Sequence, residues 1–214
     1  MIRVYKTPNA PLSLSTTQAY DGADVQQRLE EDHHKKCYIC ERCLCTDFQI
    51  EHHKSRQNFP ALIQNWSNLF WSCSYCNGKK GDNYDNLLDP VNDNIEEEIV
   101  HELDFSTNKA SFTSLVQSLS HDKTCELLGK IHNGAKKIRT KREENFFMYV
   151  KSVVTDFNRI VNQYLMNPTD DNSKLVRESL QIHQECLGFK YWIVKNHPQL
   201  SQHYTYGSPA FLKV

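Results

Sequence analysis

Hydrophobic and polar positions change their rhythm along the chain. Phe48-Gln49-Ile50-Glu51-His52 alternates with the period of two that a half-buried strand needs, and Asn65 to Phe70 leads into the Cys73-x-x-Cys76 knuckle. Ile99-Val100-His101-Glu102-Leu103-Asp104-Phe105, a Ser-Thr-Asn turn and Ala110-Ser111-Phe112 predict a hairpin. From Ala135 to Met166 there is no Pro or Gly, and apolar residues recur at 138, 146, 149, 150, 153, 157, 160, 161, 164 and 165. That stripe predicts a long helix, which Asn167-Pro168-Thr169-Asp170 ends. A further helix is expected from about Asp171 to Cys186, with Leu175, Val176, Ile182 and Cys186 inward. Near the N-terminus, Pro8 and Pro11 oppose helix and Ile2 and Val4 alternate, so residues 1 to about 15 read as an extended arm. Residues from about Gly22 to Lys36 read as a polar helix with Val25 and Leu29 on one face.

The expected class is α+β. Residues 1–30 form an arm and helix, a candidate docking element; 31–90 a metal-rich core; 91–120 an acidic segment with the hairpin; 121–214 a helical region, with no internal repeats. Hydrophobic content of 39% with 24% charge suits a globular chain, and no run of about 18 apolar residues points to a membrane. No apolar leader segment follows Met1, so a secretory signal is not expected. Eight cysteines could suggest a secreted disulfide scaffold, but six fall between 37 and 76 with metal-like spacing, which favours a reducing cytoplasm.

The net charge of −1 conceals segregation. Residues 82–104 carry nine acids and no Lys or Arg, whereas 130–142 carry six cations and no acid. Residues 33–81 hold seven cations against three acids, a balance that attracts phosphodiesters. The basic run at 130–142 reads equally well as a phosphate-binding surface or the solvated face of a helix; the acidic run is a candidate docking element whose plainer reading is a solvated loop and helix.

Thiolates at i and i+3 on a tight knuckle point the same way, and two knuckles supply four tetrahedral ligands for a structural Zn²⁺. Cys37-x-x-Cys40 and Cys73-x-x-Cys76 fit this, with an unusually long gap of 32 residues that implies an inserted substructure. Cys40-x-x-Cys43 is a competing register, and Cys45 lies close by. Cys125 and Cys186 fall in helical stripes and read as small core residues.

The insert carries a second chemistry. Hydrolysing a phosphodiester needs a base for water, a Lewis acid for developing charge, and cations that fix the backbone. Glu51 offers hard oxygen to Mg²⁺ or Mn²⁺, and His52 has an imidazole suited to take a proton near neutrality. Asn77 adds an oxygen after Cys76, Asn68 is placed to hold the His52 loop, and Lys79, Lys80 and Arg56 are candidate phosphate contacts.

Cys37-Tyr-Ile-Cys40, Ile50-Glu51-His52, Trp66-Ser67-Asn68-Leu69-Phe70 and Cys73-Ser-Tyr-Cys76-Asn77-Gly-Lys-Lys-Gly-Asp82 together resemble the HNH endonuclease, or ββα-metal, motif. The wording of this segment of about 45 residues, with an arm before it and helices after it, is similar to a narrower group. These are the PtuB-type nucleases of bacterial anti-phage defence, found in Septu systems and beside retrons. The resemblance implies His52 as general base, Glu51 and Asn77 as metal ligands, and 5′-phosphate products. It implies as partners an ABC-type ATPase, PtuA, and in retron systems a reverse transcriptase with its reverse-transcribed DNA. Glutamate stands where much of the superfamily has aspartate, and His53 where an apolar residue is usual. A shifted register, with His52 on the metal and His53 as base, therefore stays open. So does the substrate, DNA being favoured over RNA such as tRNA. A zinc-dependent binding module without catalysis would explain the cysteines but leave Glu51, His52, Asn68 and Asn77 coincidental.

Overall fold

The computed structural model describes residues 1–16 and 19–201. An irregular N-terminal arm leads into a short helix α1 (Ser13–Thr16) and then α2 (Ala23–Asp32), which buries Val25 and Leu29. Strand β1 (Gln49–His52) pairs antiparallel with β2 (Leu69–Ser72), in a register running from Gln49 opposite Ser72 to His52 opposite Leu69. Helix α3 (Ser74–Lys80) follows β2 directly, with Cys73 as its N-cap. All four residues of β2 are buried, so the strand forms the spine against which α2, β1 and the first knuckle are laid.

After α3 the chain crosses to a short helix α4 (Ile95–Glu98) and the hairpin of β3 (Ile99–Asp104) and β4 (Lys109–Ser114). The Asp104 carboxylate accepts hydrogen bonds from the backbone and hydroxyl groups of Ser106 and Thr107, which closes the Asp104-Phe105-Ser106-Thr107 turn. Five helices complete the described residues: α5 (Leu119–Asn133), α6 (Lys141–Met166), α7 (Asp170–Ser179), α8 (Leu187–Lys195) and α9 (Pro198–Ser201); the end of the expected helical region, 202–214, lies outside them. The architecture is α+β, with two separate two-stranded sheets among the described residues.

Two helix boundaries differ from the periodicity. The long helix starts at Lys141, not Ala135: Gly134 takes φ +82°, and Thr140 and Glu143 form a reciprocal capping box worth about 1 kcal/mol. Ile138, counted in the stripe, lies before the helix and is 82% exposed. From the capping box on, Phe146, Phe147, Val150, Val154, Phe157, Val161 and Tyr164 face inward. The following helix ends at Ser179, and Cys186 sits at φ +54° as the N-cap of α8, still buried but off any stripe. Leu175, expected inward, is exposed. Cys125 is half-buried on α5.

One hydrophobic cluster runs from Met1 through Leu29, Phe70 and Trp71 to Leu127 and Ile131 of α5, Phe146 and Val150 of α6, and Phe189 of α8. The metal-rich segment and the helical region therefore share a core. A second cluster joins the far half of α6 to α7 and α8 through Phe157, Val161, Val176 and Leu187. Polar clasps reinforce the join. Buried Lys36 donates to the carbonyls of Ile182 and Gln184, and the Glu41 carboxylate accepts from Gly188 N at 3.1 Å. Burial pushes the Glu41 carboxyl up, but the Met1 ammonium at 3.0 Å and Lys36 outweigh it and hold it at about 2.

The arm is packed down. Lys6 Nζ donates to the carbonyls of Trp66 and Leu69 and lies 4.1 Å from the Trp66 ring centre. Thr7 bonds the Asp32 carboxylate through its backbone and hydroxyl, and its carbonyl accepts from Trp66 Nε1 at 2.7 Å. Part of the acidic run is internal too, with buried Glu96 paired to Arg3 at 3.0 Å. No helix of the described residues is long and apolar enough to cross a membrane.

Burial lowers the Lys6 ammonium to about 7, against the raising influence of Asp32 and Asp89. The unfolded chain then holds an extra proton between about pH 7 and the ordinary lysine value near ~10.4. Stability of the native chain relative to Lys6→Met should therefore rise with pH through that window. Urea denaturation of both proteins at pH 6.5 and 9 checks this, and a difference that is flat or falls with pH contradicts it.

Candidate metal centre and adjoining pocket

The two CxxC pairs converge. The ligand atoms of Cys37, Cys40, Cys73 and Cys76 all lie within 4.8 Å of one another, and all four residues are buried. Each half is shaped by its backbone. The first knuckle turns at Glu41, which adopts φ +61°, and closes with Glu41 N donating to Cys37 O at 2.8 Å and Cys37 N to Arg42 O at 3.0 Å. The second uses the start of α3, where Cys76 N points at Cys73 Sγ at 3.4 Å. Tyr38 N donates to Trp71 O at 2.9 Å and so ties the first knuckle to β2. Four soft sulfur donors in a closed, buried set can hold a structural metal such as zinc, with no position left for a substrate. Cys43 and Cys45 are exposed and outside the set, which decides the register in favour of Cys37 and Cys40.

Beside this cluster, at the end of β1, lies a small pocket of about 80 Å³ lined by Glu51, His52, Arg56 and Asn77 among others. Glu51 is buried, with Oε2 accepting from the Tyr38 hydroxyl at 2.7 Å and Oε1 facing Lys80 Nζ at 2.9 Å. Burial raises its carboxyl to about 6, with Lys80 and Tyr38 opposing. The carboxylate keeps further lone pairs on both oxygens. Asn77 Nδ2 donates one hydrogen to Gln49 Oε1 at 2.6 Å, and its amide oxygen can serve as a metal ligand. The donor set of a carboxylate and an amide oxygen fits a hard divalent cation.

His52 Nε2 lies 3.0 Å from the carbonyl oxygen of Ile63. A carbonyl only accepts, so Nε2 carries the hydrogen and Nδ1 holds the basic lone pair. Burial lowers the His52 imidazole, the Ile63 contact raises it, and Arg56 and Lys80 lower it further. The ring is therefore neutral near pH 7. Tyr20, carried in by the segment before α2, meets it edge-on with centroids 4.9 Å apart.

The loop that supplies Ile63 is pinned at both ends. Asn68 Oδ1 accepts from Lys54 N at 2.7 Å, while its amide donates to the carbonyls of Lys54 and Leu62 at 3.0 and 3.2 Å. Asp85 accepts from Ser55 N, the Ser55 hydroxyl and the Asn58 amide. Asn68 thus acts at one remove from the pocket, through the loop.

Other expected site residues fall elsewhere. His53 is buried against Phe70, with Nδ1 lacking a partner and burial lowering its imidazole to about 4; it does not line the pocket. Lys80, expected at phosphate, is instead enclosed and paired with Glu51, because α3 packs that face onto β1. Lys79 turns toward Glu143 at the head of α6. Arg56 is the one of the three expected cations that stands exposed at the pocket. Tyr20, Tyr38, Ile63 and Asp85 were not foreseen. Tyr38, inside the first CxxC, had the strongest local signal.

No family model matches the chain, and no solved structure matches it. It is similar to the Septu protein PtuB of Bacillus thuringiensis, with 30% identity over 102 residues that cover 40% of this chain and 39% of the relative. The match therefore spans less than half of the relative's length.

The thiol cluster should carry about one zinc per chain as purified. Cys73→Ser is expected to remove most of it and lower thermal stability, whereas Cys43→Ser and Cys45→Ser should change neither. Elemental analysis and calorimetry on the three variants measure this.

Proposed function

We propose that the chain is a metal-dependent endonuclease of the HNH type, hydrolysing nucleic-acid phosphodiester bonds, with DNA as the favoured substrate. The observation that carries this reading is the His52 ring. Its Nε2–H is committed to Ile63, its Nδ1 lone pair is left basic, and it shares a pocket with Glu51, Asn77 and Arg56. A zinc-binding module without catalysis has no use for that arrangement.

His52 Nδ1 takes the proton from the attacking water, and the Ile63 carbonyl stabilises the imidazolium that forms, because it continues to accept from Nε2. Glu51 and Asn77 would hold Mg²⁺ or Mn²⁺, which supplies Lewis-acid stabilisation of the charge developing on phosphate. Lys80 and Tyr38 orient the Glu51 carboxylate from behind. Arg56 meets the substrate phosphate as an exposed, permanently charged donor. The closed thiol cluster plays no chemical part; it holds β2 and α3 so that Asn77 faces β1.

The likeness to a Septu protein supports a role as the effector of a bacterial anti-phage defence system. In that role the chain works in the cytoplasm beside an ABC-type ATPase of the PtuA kind, which gates the nuclease.

His52→Ala should lower cleavage of plasmid DNA with Mn²⁺ or Mg²⁺ by about 10²- to 10⁴-fold, the range for loss of a general base, with zinc content unchanged. An unaltered rate overturns the assignment, and a loss confined to His53→Ala transfers the base to the neighbouring ring. Glu51→Gln is a better probe of the metal ligand than Glu51→Ala. Stripping one partner from a buried ion pair costs about 3–5 kcal/mol and would confuse unfolding with inactivity.

A further inference from the structure

The His52 pocket continues into a second, wider and more open groove of about 350 Å³, with Ile50, Arg56 and Asn77 on the shared border. Two aromatic rings line it. Phe48 stacks on Trp71 with centroids 4.2 Å apart and planes at 15°, yet remains 37% exposed. One face of the ring is thus backed by a buried indole while part of the ring stays open to the groove. Tyr20 is the second, packed edge to face with His52, and its hydroxyl accepts from Arg56 Nη1 at 2.9 Å. Asp21, Gln26 and Gln49 supply polar groups to the lining. A large aromatic left in water on a rigid ring beneath it, next to a cationic phosphate contact, matches the way proteins hold unstacked bases.

We propose that this groove receives one unpaired nucleobase of the polynucleotide, adjacent to the phosphate held at Arg56, so that the protein acts on single-stranded or unstacked sites in preference to intact duplex. The inference rests on the nuclease reading above. In a continuous duplex both faces of every base are covered by neighbours, so a groove that offers a ring face rewards only a base that has left the stack. Arg56 serves both compartments: its guanidinium lies 5.6 Å from the Tyr20 ring centre on the groove side and lines the His52 pocket on the other. The distance from phosphate to base in one nucleotide is bridged by that single side chain. The recognition is by ring face, which every base has, so it selects strandedness and leaves sequence open.

The test measures binding of the full chain, in buffer without added divalent cation, to fluorescein-labelled 12-mers of thymidine, of uridine, of the abasic tetrahydrofuran analogue, and to a 12-base-pair duplex. The native protein should bind the base-bearing single strand about tenfold or more tightly than the abasic strand, the size expected for one lost stacking contact, and more tightly than the duplex. Phe48→Leu keeps apolar packing on Trp71 but removes the ring face, so it should abolish the preference for bases. Phe48→Trp should retain that preference, which separates loss of stacking from loss of fold. Arg56→Ala should weaken the base-bearing and abasic strands alike. Base dependence on the thymidine or the uridine strand supports the proposal, and their relative affinities tell deoxyribose from ribose. Equal binding of base-bearing and abasic strands, with dependence on Arg56 intact, overturns the proposal and leaves the nuclease reading standing. Binding of none of the four probes overturns both.

Discussion

The convergence of four thiols is the constraint on which the rest of the molecule depends. Cys37 and Cys40 come from a loop that reverses at a left-handed Glu41, and Cys73 and Cys76 from the first turn of α3. Nothing in local propensity brings these segments together. Once they meet, β2 is held between the knuckle and α3, β1 has one edge to pair with, and the insert must close over the His52 end of the hairpin. The cluster is small in area, but it sets the relative position of Glu51 on β1 and Asn77 on α3, which are 26 residues apart in sequence.

Around that anchor, buried charges serve orientation more than adhesion. Lys80 neutralises Glu51 from behind, Lys36 satisfies carbonyls between α7 and α8, and Lys6 does the same for the turn before β2. Each of these lysines is nearly excluded from water and lies against backbone oxygens or a carboxylate. Isolated burial of an ammonium is unfavourable, so each one fixes the geometry of whatever partners it is given. The result is a site whose carboxylate, imidazole and amide are all held by groups outside the pocket.

How far the sequence revealed this differs from residue to residue. Paired CxxC spacing and the Glu51-His52 doublet were visible because their chemistry is local, and β1 alternates as a strand should. Residues 135–140 misled, since freedom from Gly and Pro says nothing about where a helix is nucleated; Thr140 and Glu143 carried that signal in the Thr-x-x-Glu pattern. Lys80 was invisible as a buried residue because its apparent role depends on which face of α3 meets β1. Tyr20 and Ile63 reach His52 only through tertiary folding, one as a ring edge and one as a backbone carbonyl, and neither has a sequence signature. The groove beside Phe48 is likewise a product of packing. An aromatic before a strand reads as core until Trp71 is found covering just one of its faces.

Cys76 and Asn77 are consecutive residues on one turn of α3. The thiol bracket and the Glu51–His52 pocket therefore share a single peptide link, and no hinge separates them. An oxidant that joins two of these sulfurs, or a chelator that competes with them for a metal, would pull on the same turn of helix. Either reagent would be felt at Asn77 without anything entering the pocket, which makes the redox state of a structural bracket a condition of the geometry next door.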